Sequence, residues 1–148
     1  MFVAVDENRK DGIKKLLSKF PDLKVILLDD AFQHRRVKPG LSILLTDHDK
    51  MFYDDFLLPA GSLREWMTGK KRADIIVVTK CHDTISPVEK RIIIKKITPE
   101  PHQHIFFSHI KYGAPTSLFA SPTLNWEKDE KEKTAVLLTG ISNPKPLE

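Results

Sequence analysis

The chain has 148 residues, long enough for one core of ordinary size and short for two complete domains. With 41% hydrophobic and 30% charged residues, its composition is globular and excludes a disordered or fibrous chain. The formal charge of +4, from 24 basic and 20 acidic residues, suits an anionic ligand but is too small to argue for nucleic acid. Cys81 is the single cysteine, so no intrachain disulfide forms, and a reducing compartment is the simpler expectation. The start, MFVAVDENRK, lacks a basic segment followed by an apolar one, and so is not a secretory signal. No apolar run approaches the roughly 20 residues of a membrane span, and a soluble chain is expected. Residues 2–5 open almost inside a strand-like run, and Pro146-Leu147-Glu148 closes just after a new apolar run and a turn. Both ends therefore read as cuts in something longer.

Residues 2–5 form a short apolar run with the character of a strand. Asn8 can cap a helix whose apolar positions are Ile13, Leu16, Leu17 and Phe20, and Pro21 stops it. Residues 23–28 form a run that is apolar apart from Lys24, read as a strand covered on both faces. Residues 41–46 form a second such run, reached through the turn Lys38-Pro39-Gly40. Residues 47–55 are polar and irregular, and residues 57–62 bend tightly. Ser62-Leu63-Arg64-Glu65 has the S-x-x-E form of a capping box and predicts a helix start with Glu65 at N3. Residues 73–80 are a third buried-type strand. Ser86-Pro87-Val88-Glu89 opens another helix, with a second capping box and proline at its first position, running to about Lys96 and ending before Pro99.

Residues 103–110 and 134–139 are further expected strands, and the charged run 127–133 is a solvated loop or linker. Apolar strands alternating with helices over residues 2–110 predict a three-layer α/β fold around a largely parallel sheet. The expected division is an α/β core over 1–112, a linker over 113–133 and the truncated start of a second α/β unit over 134–148.

In an open parallel sheet, ligands bind at the carboxyl ends of the strands. The run VILLDD would place Asp29 and Asp30 there, as a Walker B element places the acid that reaches a nucleotide-bound Mg²⁺. The plainer alternative is a strand ending in a polar loop. Gln33 and His34 follow within reach of the same ligand, and Arg35-Arg36 could meet phosphate or an anionic surface. For Arg64-Glu65, a surface ion pair beside a helix cap competes with a role at the site.

Three motifs in order, LLDDAFQHRR, LLPAGSLRE and LLTGISNP, resemble the tetraacyldisaccharide 4'-kinase family, the lipid A 4'-kinases. The family's D-D-G-[FL]-Q-H stands here as Asp29-Asp30-Ala31-Phe32-Gln33-His34, with Ala31 where glycine is usual. Its L-P-A-G-[PS]-L-R-E stands as residues 58–65, and its T-G-I-[AS]-N-P as residues 139–144.

The resemblance implies a P-loop NTPase-type fold, here incomplete. It implies transfer of the ATP γ-phosphate to the 4'-hydroxyl of a tetraacylated glucosamine disaccharide, the lipid A precursor. The location it implies is peripheral, at the cytoplasmic face of the inner membrane of a Gram-negative bacterium. Asp29 and Asp30 would organise Mg²⁺ and ATP, His34 and Gln33 would line the same site, and Arg64, Glu65 and Arg35 would lie near phosphate or substrate. Phosphoryl transfer asks mainly for positioning and for cations around the phosphoryl oxygens, which agrees with this residue set.

None of the six glycines begins the phosphate-cradling G-x-x-x-x-G-K-[ST]. In the family that loop lies upstream, and a further catalytic histidine lies beyond residue 148. The chain therefore reads as the middle of a kinase, inactive alone. Two other readings stay open: another P-loop ATPase or small-molecule kinase, and a non-catalytic binding module. Cys81-His82 with His102 and His104 fits no zinc spacing. Val78-Thr79-Lys80-Cys81 is only distantly like the base-reading N-K-x-D element. Trp66-Met67 with Lys70-Lys71-Arg72 could form an interfacial patch, against a docked aromatic beside a solvated turn.

Overall fold

A computed structural model describes residues 2–113. The expected linker over 113–133 and strand over 134–139 lie outside the described residues, apart from Gly113. Within them, helix α1 (Arg9–Lys19) comes first, followed by strand β1 (Ile43–Asp47). A 3-10 helix (Met67–Arg72), strand β2 (Ile75–Thr79), helix α2 (Pro87–Ile97) and strand β3 (His104–Phe107) complete the order.

The three strands form one parallel sheet in the order β1-β2-β3, as the alternation of strand and helix predicts. Ile43 pairs with Ile75, which pairs with His104, and Leu45 pairs with Val77, which pairs with Phe106, so residues of like parity line one face. The sheet continues at its carboxyl end, where the His48 N–H donates to the Thr79 carbonyl (2.9 Å) and the Cys81 N–H to the Ser108 carbonyl (2.9 Å).

Among the described residues the core forms on one face only. Ile76 and Val78 of β2 are fully buried there, against Ile93 and Ile97 of α2, with Ala73, Met51 and Cys81 completing the cluster. Leu44, Ile105 and Phe107 pack at its margin. On the other face, Leu45 is 64% exposed and Ile43 and Phe106 about half exposed. The reading of these strands as covered on both faces is thus corrected: no described element lies over the second face.

Both helices begin where capping chemistry predicts. The Asn8 side chain accepts from the Lys10 N–H, and Ser86 Oγ accepts from the Glu89 N–H (3.1 Å) with Pro87 at the first helical position. α2 ends at Thr98 in the left-handed conformation (φ 47°). Buried Lys70 closes that end, its Nζ donating to the carbonyls of Ile97 (2.7 Å) and Thr98 (2.5 Å). Those carbonyls have no acceptor role left within the helix, so a cation there satisfies both hydrogen bonding and the helix dipole.

Two expected strands are absent. Residues 2–5 are irregular, with Phe2 stacked on Phe20 at 4.0 Å between ring centroids. Residues 23–28 form no strand with any described segment, and Leu27 is 87% exposed. An apolar run becomes a strand only when a neighbour supplies a hydrogen-bond ladder, and no described segment pairs with this one.

Candidate active site

The irregular segment 23–28 runs directly into the acids. Residues 29 and 30 form a turn in which Asp30 has φ 47°, a left-handed conformation that aspartate tolerates better than most residues. The Asp30 carboxylate accepts a two-pronged bond from Arg64: Nη1 to Oδ2 at 2.9 Å and Nη2 to Oδ1 at 2.6 Å. This fork geometry matches guanidinium to carboxylate and fixes both orientation and distance. The bonded guanidinium holds the Asp30 carboxyl below its ordinary range, and Arg64 is raised in return. The exposed Asp29 carboxylate bonds to none of the described residues.

Arg64 is delivered by a closed loop over residues 55–63. Leu57 bridges Leu63, and the Leu63 N–H donates to the Phe56 carbonyl (3.0 Å). Asp55 is the post around which this loop folds. Its carboxylate accepts from the Phe56 N–H (2.8 Å), the Ser62 N–H (3.1 Å) and the Ser62 hydroxyl, and these bonds lower its pKa to about 2. The capping box expected at Ser62 is therefore not formed. Ser62 is engaged by Asp55, and the helix begins only at Met67, as a 3-10 helix without a side-chain cap.

Glu65, freed from a capping role, ties three segments together. Its Oε1 accepts from Arg72 Nη2 at 2.6 Å, and its Oε2 meets Arg35 Nη2 at 3.3 Å. Arg72 also donates to the Phe32 carbonyl (3.1 Å) and lies 4.6 Å above the centre of the Phe32 ring. Two stretches separated by about 30 residues thus form one cluster. Gln33 and His34 line an adjoining cleft of about 550 Å³ together with Asn8, Arg9, Arg35 and Arg36, a wall rich in cations and donors.

Of the residues singled out in the sequence, Asp30, Arg35, Arg64 and Glu65 meet directly. Asp29 is adjacent, and Gln33 with His34 forms the neighbouring wall. Arg72 and Asp55 were not foreseen. Arg72 belongs to the run Lys70-Lys71-Arg72, for which an interfacial patch competes with a solvated turn, and each member has an internal partner: Lys70 the end of α2, Lys71 Glu100 at 3.0 Å, and Arg72 Glu65. Trp66 is 74% exposed beside them. Among the described residues no helix is long and apolar enough to cross a membrane.

These features define a parallel α/β protein with an exposed carboxylate–guanidinium site beside a basic cleft. The chain belongs to the tetraacyldisaccharide-1-P 4'-kinase family, whose pattern it matches over residues 1–148. It is 49% identical over 156 residues to the tetraacyldisaccharide 4'-kinase of Bacteroides thetaiotaomicron, covering 98% of this chain and 40% of that protein. The corresponding proteins of Phocaeicola vulgatus (43% identity, 98% and 40% covered) and Flavobacterium johnsoniae (44%, 98% and 42%) are similar to it in the same way. The chain spans about 40% of the length of these curated relatives. No solved structure matches it.

Proposed function

We propose that this chain is the acid-bearing middle of a P-loop-type kinase that transfers the ATP γ-phosphate to the 4'-hydroxyl of a tetraacylated glucosamine disaccharide, the lipid A precursor. Family membership supports the reaction class. The single observation that carries the site assignment is the Asp30–Arg64 fork, which joins the family's two central motifs and leaves Asp29 unengaged beside it.

The two acids then divide the task. Asp29 suits Mg²⁺, which takes few protein carboxylates and completes its shell with water and phosphate oxygens. Bound there, the ion would neutralise charge developing on the transferred phosphoryl group. Asp30 holds Arg64 in place rather than the metal. Arg35, Gln33 and His34 line the cleft where phosphate or the sugar headgroup would lie; the family resemblance would give His34 a catalytic role, and Glu65 anchors Arg35. The phosphate cradle comes from sequence outside this chain. The whole protein would act as a peripheral enzyme at the cytoplasmic face of the inner membrane, with no nucleic-acid partner.

The test is steady-state kinetics of the whole kinase with ATP and the disaccharide substrate. Asp29→Asn should lower kcat by about a hundredfold or more and raise the Mg²⁺ concentration needed for half-maximal rate. Asp30→Asn should lower kcat with a smaller change in Mg²⁺ requirement. Wild-type turnover in both variants would sink the assignment.

A further inference from the structure

A second group of side chains, unused by the proposed kinase chemistry, meets at the carboxyl ends of β1 and β2. His48 follows β1 directly, and its side chain is only 13% exposed. Its Nδ1 lies 3.0 Å from Asp49 Oδ1 and its Nε2 lies 3.0 Å from Glu89 Oε1. His82, just past β2, sets its ring edge-on to His48, with centroids 5.3 Å apart and planes at 78°. One ligand atom each from His48, Asp49 and His82 lies within 4.8 Å of the others.

The fold brings these residues together from distant sequence. Pairing of Asp47 with Thr79 in parallel register aligns the chain ends that carry the two histidines. Glu89 sits in the first turn of α2, placed there by the Ser86 cap.

We propose that His48, Asp49 and His82 bind a divalent transition-metal ion of the zinc class, with Glu89 as the outer partner that orients His48. Two imidazoles and one carboxylate are a donor set for zinc-like ions, whereas Mg²⁺ and Ca²⁺ prefer oxygen alone. Ligand atoms about 2.0–2.2 Å from a tetrahedral zinc stand about 3.3–3.6 Å from one another. Closing from 4.8 Å therefore needs shifts of about 1 Å, within the reach of the exposed Asp49 and His82 side chains.

With Nε2 held by Glu89, the nitrogen left for the ion is Nδ1, the one that faces Asp49. A carboxylate behind a metal-bound imidazole is the usual device for fixing its tautomer. The lysines around the cluster are paired elsewhere: Lys80 with Asp47 at 2.6 Å, Lys50 with Asp55 at 3.7 Å and Lys96 with Asp54 at 3.9 Å. A cleft of about 320 Å³ has His48, Asp49 and Glu89 in its wall and gives water access to the fourth position. On binding, any proton on Nδ1 leaves to solvent, and Asp49 exchanges its hydrogen bond for a coordinate bond.

The experiment is titration of the metal-free whole protein with Co²⁺, read by visible absorption, and with Zn²⁺, read by calorimetry, both with Mg²⁺ in excess. Expected are the absorption bands of four- or five-coordinate cobalt, their displacement by Zn²⁺, and a thermal midpoint raised by Zn²⁺. His82→Ala should weaken Zn²⁺ binding at least about tenfold and abolish the thermal shift, and Glu89→Gln should weaken binding about tenfold. His102→Ala, at an exposed histidine outside the cluster, should leave both readings unchanged. His82 is exposed, so its variant keeps the fold, which circular dichroism checks. Absence of the cobalt bands, or wild-type affinity in His82→Ala, would overturn the proposal.

Discussion

At the level of single residues, the site depends on groups whose partners are far away in sequence. The motif residues around Asp29-Asp30 and Arg64-Glu65 stand out in the sequence because charges crowd behind apolar runs. Who bonds whom does not, because S-x-x-E at Ser62 describes a helix start equally well, and only the presence of Asp55 decides against it. Gly61 is required by this loop. A Cβ there would stand 2.6 Å from the Phe56 nitrogen and still closer to the Phe56 carbonyl and Asp55. Gly61→Ala should therefore cost on the order of 1–3 kcal/mol in a denaturant titration, since two of the three nearest obstructing atoms are Phe56 backbone.

Asp55 carries a pH dependence of definite sign. Its folded pKa of about 2 lies below the ordinary 3.8, so its contribution is present above pH 3.8 and fades as the pH falls towards 2. Asp55→Asn should flatten the acid limb of a stability–pH curve between those values. An unchanged limb would mean that the loop does not depend on this carboxylate.

Among the elements, those supported by local chemistry were legible and those needing a distant neighbour were not. The sequence marks of a cap, Asn8 and Ser86, specify helix starts within one residue, because the capping bond is made by a side chain two or three positions away. The apolar runs at 41–46, 73–80 and 103–110 became strands because they found one another. The equally apolar 23–28 did not, because apolarity promises burial without naming the partner.

Two substitutions test these elements. Ser86→Ala should lower stability by about 1 kcal/mol through loss of the cap. Lys70→Met, which keeps the aliphatic stem but removes the ammonium that bonds the Ile97 and Thr98 carbonyls, should cost about 1 kcal/mol, since the Thr98 hydroxyl still donates to the Ile97 carbonyl. Melting temperatures unchanged by Lys70→Met would show that water replaces the ammonium without loss.

For the molecule as a whole, the parallel α/β class follows from the order of apolar and polar segments, while the one-sided burial of the sheet does not. Leu45, Val77 and Phe106 share a register row on the uncovered face, and Ile43 with Ile75 form the row beside it. A contiguous apolar surface of this kind marks an interaction site or an aggregation liability. The 148-residue chain should bind a hydrophobic dye and self-associate in sedimentation. Leu45→Lys should reduce both without lowering stability, since that side chain has little burial to lose.

The same bare rows bear on the fate of the protein. A sheet whose strands are paired but whose second face is uncovered among the described residues is already folded and still adhesive. A bare apolar face of this kind is what a holdase chaperone binds, and the lifetime of a chain that carries it depends on whether something covers that face.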